Sequence, residues 1–149
     1  MRRTRFDEWP CPIARVTDLL GDWWTPLVLR QAFRGQRRFD DIQEALGIPR
    51  AVLAQRLGRL VDEGVLVKVP YEEHPPRYEY RLTDKGRALW DVLAAMWRFG
   101  DDWMFDDDGP NPLALVDRDT GAEVRPLVVD EATGDALDVR RLRLARRPA

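Results

Sequence analysis

The 149-residue sequence predicts a mainly α-helical fold that carries one small β-hairpin, an α+β class. Four segments place apolar residues at helical spacing and end at glycine, a common residue after a helix. Two segments that alternate polar and apolar residues, VLVKVPY and RYEYRLT, follow and indicate paired strands. A long amphipathic segment then predicts a further helix. With 44% apolar and 34% charged residues, the chain has enough apolar material to bury a core.

The first two helices are predicted from CPIARVTDLLG and WWTPLVLRQAFRG. Pro12 suits the first turn of one and Pro26 the start of the other, while Gly21 and Gly35 follow their last turns. The first helix is expected to bury one face, formed by Ile13, Val16, Leu19 and Leu20. The second is expected to be the most buried helix, through Leu27, Val28, Leu29 and Ala32.

The next two helices form a closely spaced pair. After the short extended link QRRF, the third helix begins at Phe39 and Asp40, where the helix dipole favours acidic side chains. Gly47 ends it, and the fourth helix, IPRAVLAQRLGRLVDEG, has Pro49 near its first turn. Two helices joined by a tight Gly-Ile-Pro link match a helix-turn-helix arrangement.

A hairpin and a long helix complete the predicted fold. The connection EEHPP is predicted to be unable to make a two-residue hairpin, so we expect a loop that projects. Thr83 and Asp84 are expected to cap one continuous helix, KGRALWDVLAAMWRFGDDWMF. Its apolar stripe comprises Leu89, Val92, Leu93, Met96 and Trp97. This order of helices and strands is that of a winged helix-turn-helix, in which the hairpin is the wing.

Three regions are expected along the chain. Residues 1–10 form an N-terminal arm, and residues 11–106 form the winged helix-turn-helix with its C-terminal helix. Residues 107–149 form a tail that begins within the turn-rich DDDGPNP. The tail contains a repeat, VDRDTGAEV and VDEATGDAL, thirteen residues apart. Each copy predicts a small hairpin with its turn at Gly121 or Gly134.

The fourth helix combines a core seam with a surface of small and basic residues. Its core residues, at helical spacing, are expected to be Leu53, Leu57, Leu60 and Val61. The outer side is then formed by Arg50, Ala51, Ala54, Gln55, Gly58 and Arg59, with Arg56 towards a flank. Small residues let a helix approach the floor of the DNA major groove, where arginine pairs with guanine edges and glutamine with adenine edges. The alternative is a solvated helix surface without a binding role.

The charge distribution favours DNA binding. The whole chain has a net charge of -2, but positions 30–60 carry seven arginines and three acidic residues, a net charge of +4. The other residues of the chain therefore carry a net charge of -6. Arg37 and Arg38 before the third helix, and Arg77 with His74 in the hairpin, are expected to hold phosphates on either side. A basic patch on an acidic chain indicates a localised nucleic-acid interface.

Five motifs match a known family. CP, GDWWTPLVLR, RRFDDIQ, LAQRLGRLVDEG and PPRYEYRLTDKG occur in order between Cys11 and about Leu93. In these the chain resembles the HxlR family of bacterial winged-helix transcriptional regulators, which are MarR-like. The resemblance implies a sequence-specific regulator of transcription, expected to be a repressor, that binds a double-stranded operator as a homodimer. The fourth helix, about residues 49–63, is expected in the major groove, and the wing, about residues 71–78, on the backbone or minor groove.

The resemblance also implies a dimer interface built from the N-terminal segment and the long C-terminal helix. The residues expected there are Trp9, Leu89, Val92, Leu93, Met96 and Trp97. The sequence supports this independently, because Trp90, Phe99 and Trp103 give that helix more apolar surface than one small domain covers. The alternative is that Trp97 and Trp103 pack beneath the tail.

Cys11, the only cysteine, precedes the first helix, where free backbone N–H groups and the helix dipole stabilise a thiolate. The resemblance implies that Cys11 matches the cysteine with which some family members sense oxidants or electrophiles. Burial beside Trp9 as a small apolar plug is the alternative. A small-molecule effector is a further option, with Trp23, Trp24 and the aromatic residues of the long C-terminal helix lining a pocket. The alternative is that these side chains form part of the core.

Composition disfavours several other classes of function. With one cysteine and one histidine the chain is short of zinc ligands, so neither a metal nor another cofactor is expected. The family resemblance points the same way, because Thr120 and Thr133 stand where some members carry the cysteines of a similar tail. An enzyme is not expected either, because there is no Gly-rich phosphate loop and no Ser/His/Asp set. No apolar run approaches the ~20 residues of a membrane span, and the expected location is the cytoplasm. A winged helix that binds proteins instead of DNA is the main alternative.

Overall fold

The computed structural model describes residues 5–105 and 109–147, which fall into two compact units, Met1–Trp90 and Asp91–Ala149. Within the described residues, the first unit contains α1 (Pro12–Leu20), α2 (Thr25–Phe33), α3 (Phe39–Leu46), α4 (Arg50–Asp62), β1 (Leu66–Glu73), β2 (Pro76–Leu82) and α5 (Asp84–Ala88). Helix α6 (Trp90–Trp103) begins at the end of the first unit and continues in the second. The predicted α+β class, with its helix-turn-helix and hairpin, is confirmed. Among the described helices, none has both the length and the apolar character that crossing a bilayer requires.

The core of the first unit is formed by α2, α3, α4 and the start of β1. Its most buried side chains, each at most 2% exposed, are Val28, Leu29, Ile42, Ile48, Leu53, Leu57, Leu60, Val65 and Leu66. The three leucines of α4 face this core as predicted, because residues at i, i+4 and i+7 share one side of a helix. Val61, predicted with them, is half-buried. On α2, Leu27 and Ala32 are half-buried, whereas Thr25 and Gln31 are buried.

Helix α1 does not bury the face predicted for it. Ile13 and Val16 are 69% and 37% exposed, and Leu19 and Leu20 are half-buried. The buried residue of α1 is Asp18, whose carboxylate is held by hydrogen bonds and ion pairs. Helical spacing therefore identified an amphipathic face on α1, but the described residues cover that face only in part.

The helix-turn-helix link is closed by a glycine and a buried isoleucine. Gly47 adopts a left-handed conformation with φ of 62°, and its N–H donates to the Gln43 carbonyl at 2.9 Å. That conformation favours glycine, because a Cβ crowds the backbone at positive φ. Ile48 is fully buried, and its carbonyl accepts a hydrogen bond from Gln43 Nε2 at 3.1 Å. These contacts determine where α4 begins.

The hairpin differs from its predicted form at its tip. Strands β1 and β2 pair antiparallel, with an irregularity after Pro70, and Glu73 lies opposite Pro76. The turn therefore contains two residues, His74 and Pro75, which are joined by a cis peptide bond. The prediction that EEHPP cannot make a two-residue hairpin is wrong, because the strands continue through Glu73 and Pro76 and leave only two residues for the turn.

The C-terminal helix is interrupted where one continuous helix was predicted. Thr83 caps α5 as expected, since its Oγ1 accepts the N–H of Gly86 at 3.0 Å. Gly86 lies so close to β1 that a Cβ on it would overlap the carbonyl oxygen of Val65. Leu89 separates α5 from α6 and is only 9% exposed, so this residue, predicted at a dimer interface, belongs to the core of its own chain.

The second unit contains, after α6, two tight turns of the same construction. Asp117 Oδ1 accepts the Thr120 N–H at 2.8 Å, and the Gly121 N–H donates to the Asp117 carbonyl at 2.9 Å. Asp130 and Gly134 take the equivalent places in the second turn. Each turn is closed by one isolated β-bridge, Val116 with Glu123 and Val129 with Ala136. The repeat thus forms turns with short closures.

Candidate nucleic-acid interface

The outward surface of α4 consists of small residues beside two longer polar ones. Ala51, Ala54 and Gly58 are exposed, and so are Arg50 and Gln55. The opposite side of the same helix holds its three core leucines, so packing determines which side faces outward. Because its small residues carry no more than a methyl group, the helix backbone can come close to a grooved partner.

Arg50, the first residue of α4, lies over the start of α3. Its guanidinium carbon is 4.7 Å from the ring centroid of Phe39, and its Nη1 is 2.8 Å from Asp40 Oδ1. Both side chains of this ion pair are mostly exposed, 67% for Arg50 and 80% for Asp40. Exposed pairs of this kind contribute about 0–1 kcal/mol, so a phosphate or a base edge can replace Asp40.

Arg38 connects this end of α4 to the wing. Its guanidinium carbon lies 4.5 Å from the ring centroid of Tyr71 in β1, and its backbone forms an isolated bridge with Glu79 in β2. Arg37 is exposed, and its carbonyl accepts the Tyr80 N–H at 2.8 Å. The link before α3 therefore touches the wing, while the arginine that opens α4 lies over the first two residues of α3.

The wing carries cations beside its own acidic and aromatic residues. Arg77 Nε lies 3.3 Å from Glu72 Oε2, and both side chains are largely exposed. Lys68 Nζ lies 4.2 Å from the ring centroid of Tyr78. Sequence reasoning missed Lys68 and the support that Tyr71 gives to the basic surface. The available signal was the alternation of basic and aromatic residues along the two strands.

Two of the predicted DNA-binding residues, Arg56 and Arg59, lie in ion pairs that are largely shielded from solvent. Arg59 Nη2 lies 2.7 Å from Asp18 Oδ2 in α1, and Arg56 Nε lies 3.2 Å from Asp22 Oδ1 in the α1–α2 link. The first contact is a hydrogen-bonded ion pair, while the angle of the second does not make a hydrogen bond. The two arginine side chains are 24% and 19% exposed. The predicted outward position of Arg59 is wrong, because a carboxylate 41 positions earlier draws it onto the same flank as Arg56.

Asp18 is the most buried charged group near this surface, at 4% exposure. It also accepts the N–H of Phe6 at 3.3 Å and lies 3.8 Å from Arg5 Nη2. Burial by itself raises the pKa of Asp18. The hydrogen bond from Phe6 and the charges of Arg59 and Arg5 outweigh that effect, and hold the pKa below its usual value. The carboxylate is therefore ionised in the folded protein at neutral pH.

The residues predicted at a dimer interface differ in exposure. Trp9 is 52% and Met96 49% exposed, whereas Val92, Leu93 and Trp97 are half-buried. Other apolar side chains of α1 and α6 are more exposed, namely Ile13 at 69%, Phe99 at 61% and Trp103 at 68%. Each helix thus presents apolar surface that the described chain leaves uncovered.

Cys11 directly precedes the first turn of α1 and is half-buried. Its carbonyl accepts the N–H of Arg15 at 3.2 Å, so the cysteine is fixed to the start of the helix. Trp23, expected either in the core or lining a pocket, is 91% exposed, and Trp24 is half-buried.

The helix pair, the wing and the basic surface around α4 define a winged helix-turn-helix protein. The family model for the HxlR-like helix-turn-helix matches residues 19–108, more than half of the chain. The chain belongs to the HxlR-like helix-turn-helix family. An uncharacterised HTH-type transcriptional regulator of Mycobacterium tuberculosis is 38% identical over 128 residues, which are 86% of this chain and 80% of that relative. One from Synechocystis is 45% identical over 95 residues, 63% of this chain and 70% of that relative.

Solved structures give the same class. PA1607, assigned as a transcription factor, superposes with a TM-score of 0.86 at 41% identity, over 97% of this chain and all 100% of its own. The redox regulator HypR in reduced form gives a TM-score of 0.58 at 26% identity, over 62% of this chain and 92% of its own. Reduced YodB from Bacillus subtilis gives a TM-score of 0.55 at 32% identity, over 62% of this chain and 93% of its own. The protein is a transcriptional regulator with a helix-turn-helix domain, and not an enzyme.

Proposed function

We propose that this regulator binds a specific double-stranded operator as a homodimer, with α4 in the major groove and the wing on the phosphate backbone or in the minor groove. The observation that carries the proposal is the outward surface of α4, where small exposed residues separate Arg50 from Gln55. Such a surface suits a groove about 12 Å wide. Arg50 pairs there with a guanine edge and Gln55 with an adenine edge.

The arginines outside α4 supply contacts that do not depend on base sequence. Arg37 and Arg38 lie before α3 and Arg77 lies in the wing, and all three are exposed. The stacking of Arg38 on Tyr71 and the ion pair of Arg77 with Glu72 orient the two guanidinium groups without burying them. Contacts between arginine and phosphate release counterions, so the affinity for any duplex falls steeply as salt rises.

The homodimer is supported by the uncovered apolar residues. Ile13 and Val16 are exposed on α1, Met96 and Phe99 on α6, and Trp9 in the N-terminal arm. Exposed apolar surface of this kind marks protein interfaces, since water otherwise has to solvate it. A two-fold dimer places two copies of α4 at half-sites about 34–36 Å apart on one face of the duplex. Repression is the expected outcome where such an operator overlaps a promoter.

Selection of duplexes from a random pool tests the proposal, followed by gel-shift titration of variants. Arg50→Ala and Gln55→Ala are each expected to weaken binding to the selected duplex by about 1–3 kcal/mol, and to change binding to random DNA much less. Arg77→Ala is the matched comparison and should weaken binding to both duplexes. The proposal is contradicted if the wild-type protein binds all sequences equally, or if both α4 variants bind the selected duplex with wild-type affinity.

Redox control through Cys11 is the form of regulation that the structure favours. Cys11 opens α1, the helix that also presents Ile13 and Val16. Among the similar structures, HypR is a redox regulator and YodB has been solved after diamide treatment. Oxidation of Cys11, for example to a disulfide with the same residue of the second copy, would change how the two copies meet. Operator binding by Cys11→Ser should therefore not respond to diamide, and a response equal to that of wild type rejects the idea.

A further inference from the structure

Two shielded ion pairs hold one flank of α4. Asp18 lies near the end of α1 and Asp22 just after it, while Arg56 and Arg59 lie one turn apart on α4. The carboxylates of Asp18 and Asp22 are 4% and 12% exposed, and the side chains of Arg56 and Arg59 are 19% and 24% exposed. Salt screens such pairs much less than exposed ones, and removal of one partner leaves a charge in a poorly solvated place. The flank is therefore anchored more firmly than Arg50, whose partner Asp40 is 80% exposed.

Each carboxylate also holds a second part of the chain. Asp22 Oδ1 accepts the N–H of Thr25 at 2.9 Å, at the start of α2. Asp18 accepts the N–H of Phe6 at 3.3 Å and lies 3.8 Å from Arg5 Nη2, both in the N-terminal arm. A single carboxylate in α1 thus contacts the arm on one side and α4 on the other.

We propose that Arg59 and Arg56 position the recognition helix instead of contacting DNA, and that Asp18 is the positioning residue through which the N-terminal arm sets operator affinity. This inference rests on the function proposed above and deepens it. To reach a phosphate, Arg59 would have to withdraw from a carboxylate that is almost inaccessible to water. The charge of Arg59 is therefore neutralised within the chain by Asp18, and Arg59 affects DNA binding only by positioning α4.

The arm acts on α4 through the same carboxylate. When the Phe6 N–H leaves Asp18, the carboxylate must satisfy its oxygens elsewhere, because a buried charge with unmet hydrogen bonds is costly. The resulting shift of Asp18 carries Arg59, its ion-pair partner, and hence the flank of α4. The arm also contains Trp9 and leads directly to Cys11. A change in the contacts of either residue at the proposed dimer interface therefore alters the position of α4 through Asp18 and Arg59.

The first experiment compares the salt dependence of operator binding for Arg59→Gln and Arg77→Gln. Each phosphate contact adds about 0.9 to the slope of log affinity against log salt. Arg77→Gln in both copies should therefore reduce the slope by about 1.8. Arg59→Gln should lower affinity by about tenfold at every salt concentration and leave the slope unchanged. Arg59→Lys, which keeps a charge beside Asp18, should recover part of the lost affinity, and circular dichroism checks that each variant is folded.

A reduction of about 1.8 in the slope for Arg59→Gln overturns the inference, and so does unchanged affinity in Arg59→Gln. Failure of the proposed function itself is a separate result. In that case the wild-type protein and Arg77→Gln select no duplex at all.

The second experiment isolates the arm. Phe6→Pro removes the N–H that donates to Asp18, whereas Phe6→Ala removes only the ring, which packs edge-on against Trp9 at 5.1 Å. Phe6→Pro should bind the operator several-fold more weakly than Phe6→Ala. In an Asp18→Ala background the two Phe6 variants should bind equally, because no side-chain oxygen remains at position 18 to accept the N–H. Equal affinities in the wild-type background, or losses that add in the double variants, overturn the coupling.

Discussion

Substitution of Gly58 separates the stability of α4 from its fit to DNA. Gly58 lies in the interior of α4, and a Cβ built on it meets no atom within 4 Å. Glycine in a helix interior is about 0.8–1.0 kcal/mol less favourable than alanine, because it loses more backbone freedom on folding. With open space at the site, Gly58→Ala should raise the free energy of unfolding by about 0.8 kcal/mol. For a chain of this length that is a rise in Tm of about 2–3 °C.

The effect of a larger residue on DNA binding should have the opposite sign. Gly58→Leu projects a branched side chain from the outward surface of α4, into the space that the proposal assigns to base pairs. Overpacking a closely fitted contact costs about 1–3 kcal/mol, so operator affinity should fall about tenfold or more. Ala88→Leu adds comparable bulk to an exposed position of α5 and should leave operator affinity unchanged.

Thermal unfolding and fluorescence anisotropy with the selected operator give both quantities for each variant. If Gly58→Leu melts no lower than the wild type and still binds the operator with wild-type affinity, the outward side of α4 is not at the DNA. If Gly58→Ala melts lower than the wild type, the space around position 58 is not open. Either result refutes the reasoning at an identifiable step.

Gly86→Ala should lower the free energy of unfolding by about 1–3 kcal/mol, because the added Cβ would overlap the carbonyl oxygen of Val65. A urea unfolding midpoint equal to that of the wild type would show that Gly86 does not lie this close to Val65. The lowered pKa of Asp18 stabilises the fold above the usual carboxylate range, and this contribution disappears as pH falls through the lowered pKa. Asp18→Asn should therefore lower the free energy of unfolding at neutral pH, and the variant should lose less of it than the wild type as the pH falls. If the free energy of unfolding changes with pH in the same way for both proteins, the ion-pair assignment is wrong. Phe99→Glu places a charge on an apolar side chain that is 61% exposed in α6 and should shift sedimentation from dimer to monomer. Persistence of the dimer removes Phe99 from the interface.

The periodicity of α4 was sufficient to predict its core side. Leu53, Leu57 and Leu60 align on one face of any helix, whatever lies opposite them. The orientation of Arg59 could not be predicted in the same way. Its position on the helix is next to that of Gln55, which remains exposed, and the difference is made by Asp18, 41 residues earlier in the chain. Spacing within one helix carries no information about such a partner.

Tertiary contacts also explain the differences in the C-terminal helix and in α1. The apolar stripe predicted one long helix, but Leu89 is drawn into the core and Gly86 approaches the carbonyl of Val65, and the helix is interrupted at that point. In α1 the spacing of Ile13 and Val16 gave an apolar face, yet the cover for that face is absent from the described chain. Periodicity reports which side of a helix is apolar, and not whether the chain itself or a partner buries it.

The most direct test is whether Arg50 reads a guanine in the major groove. Each guanine of the selected operator is replaced in turn by 7-deazaguanine, which lacks the N7 acceptor of the major groove and leaves the minor groove unchanged. The wild-type protein should lose about 1–3 kcal/mol of binding free energy at one guanine in each half-site, and Arg50→Ala should lose nothing further there. Wild-type affinity that is unchanged by substitution at every guanine would contradict the placement of α4 in the major groove.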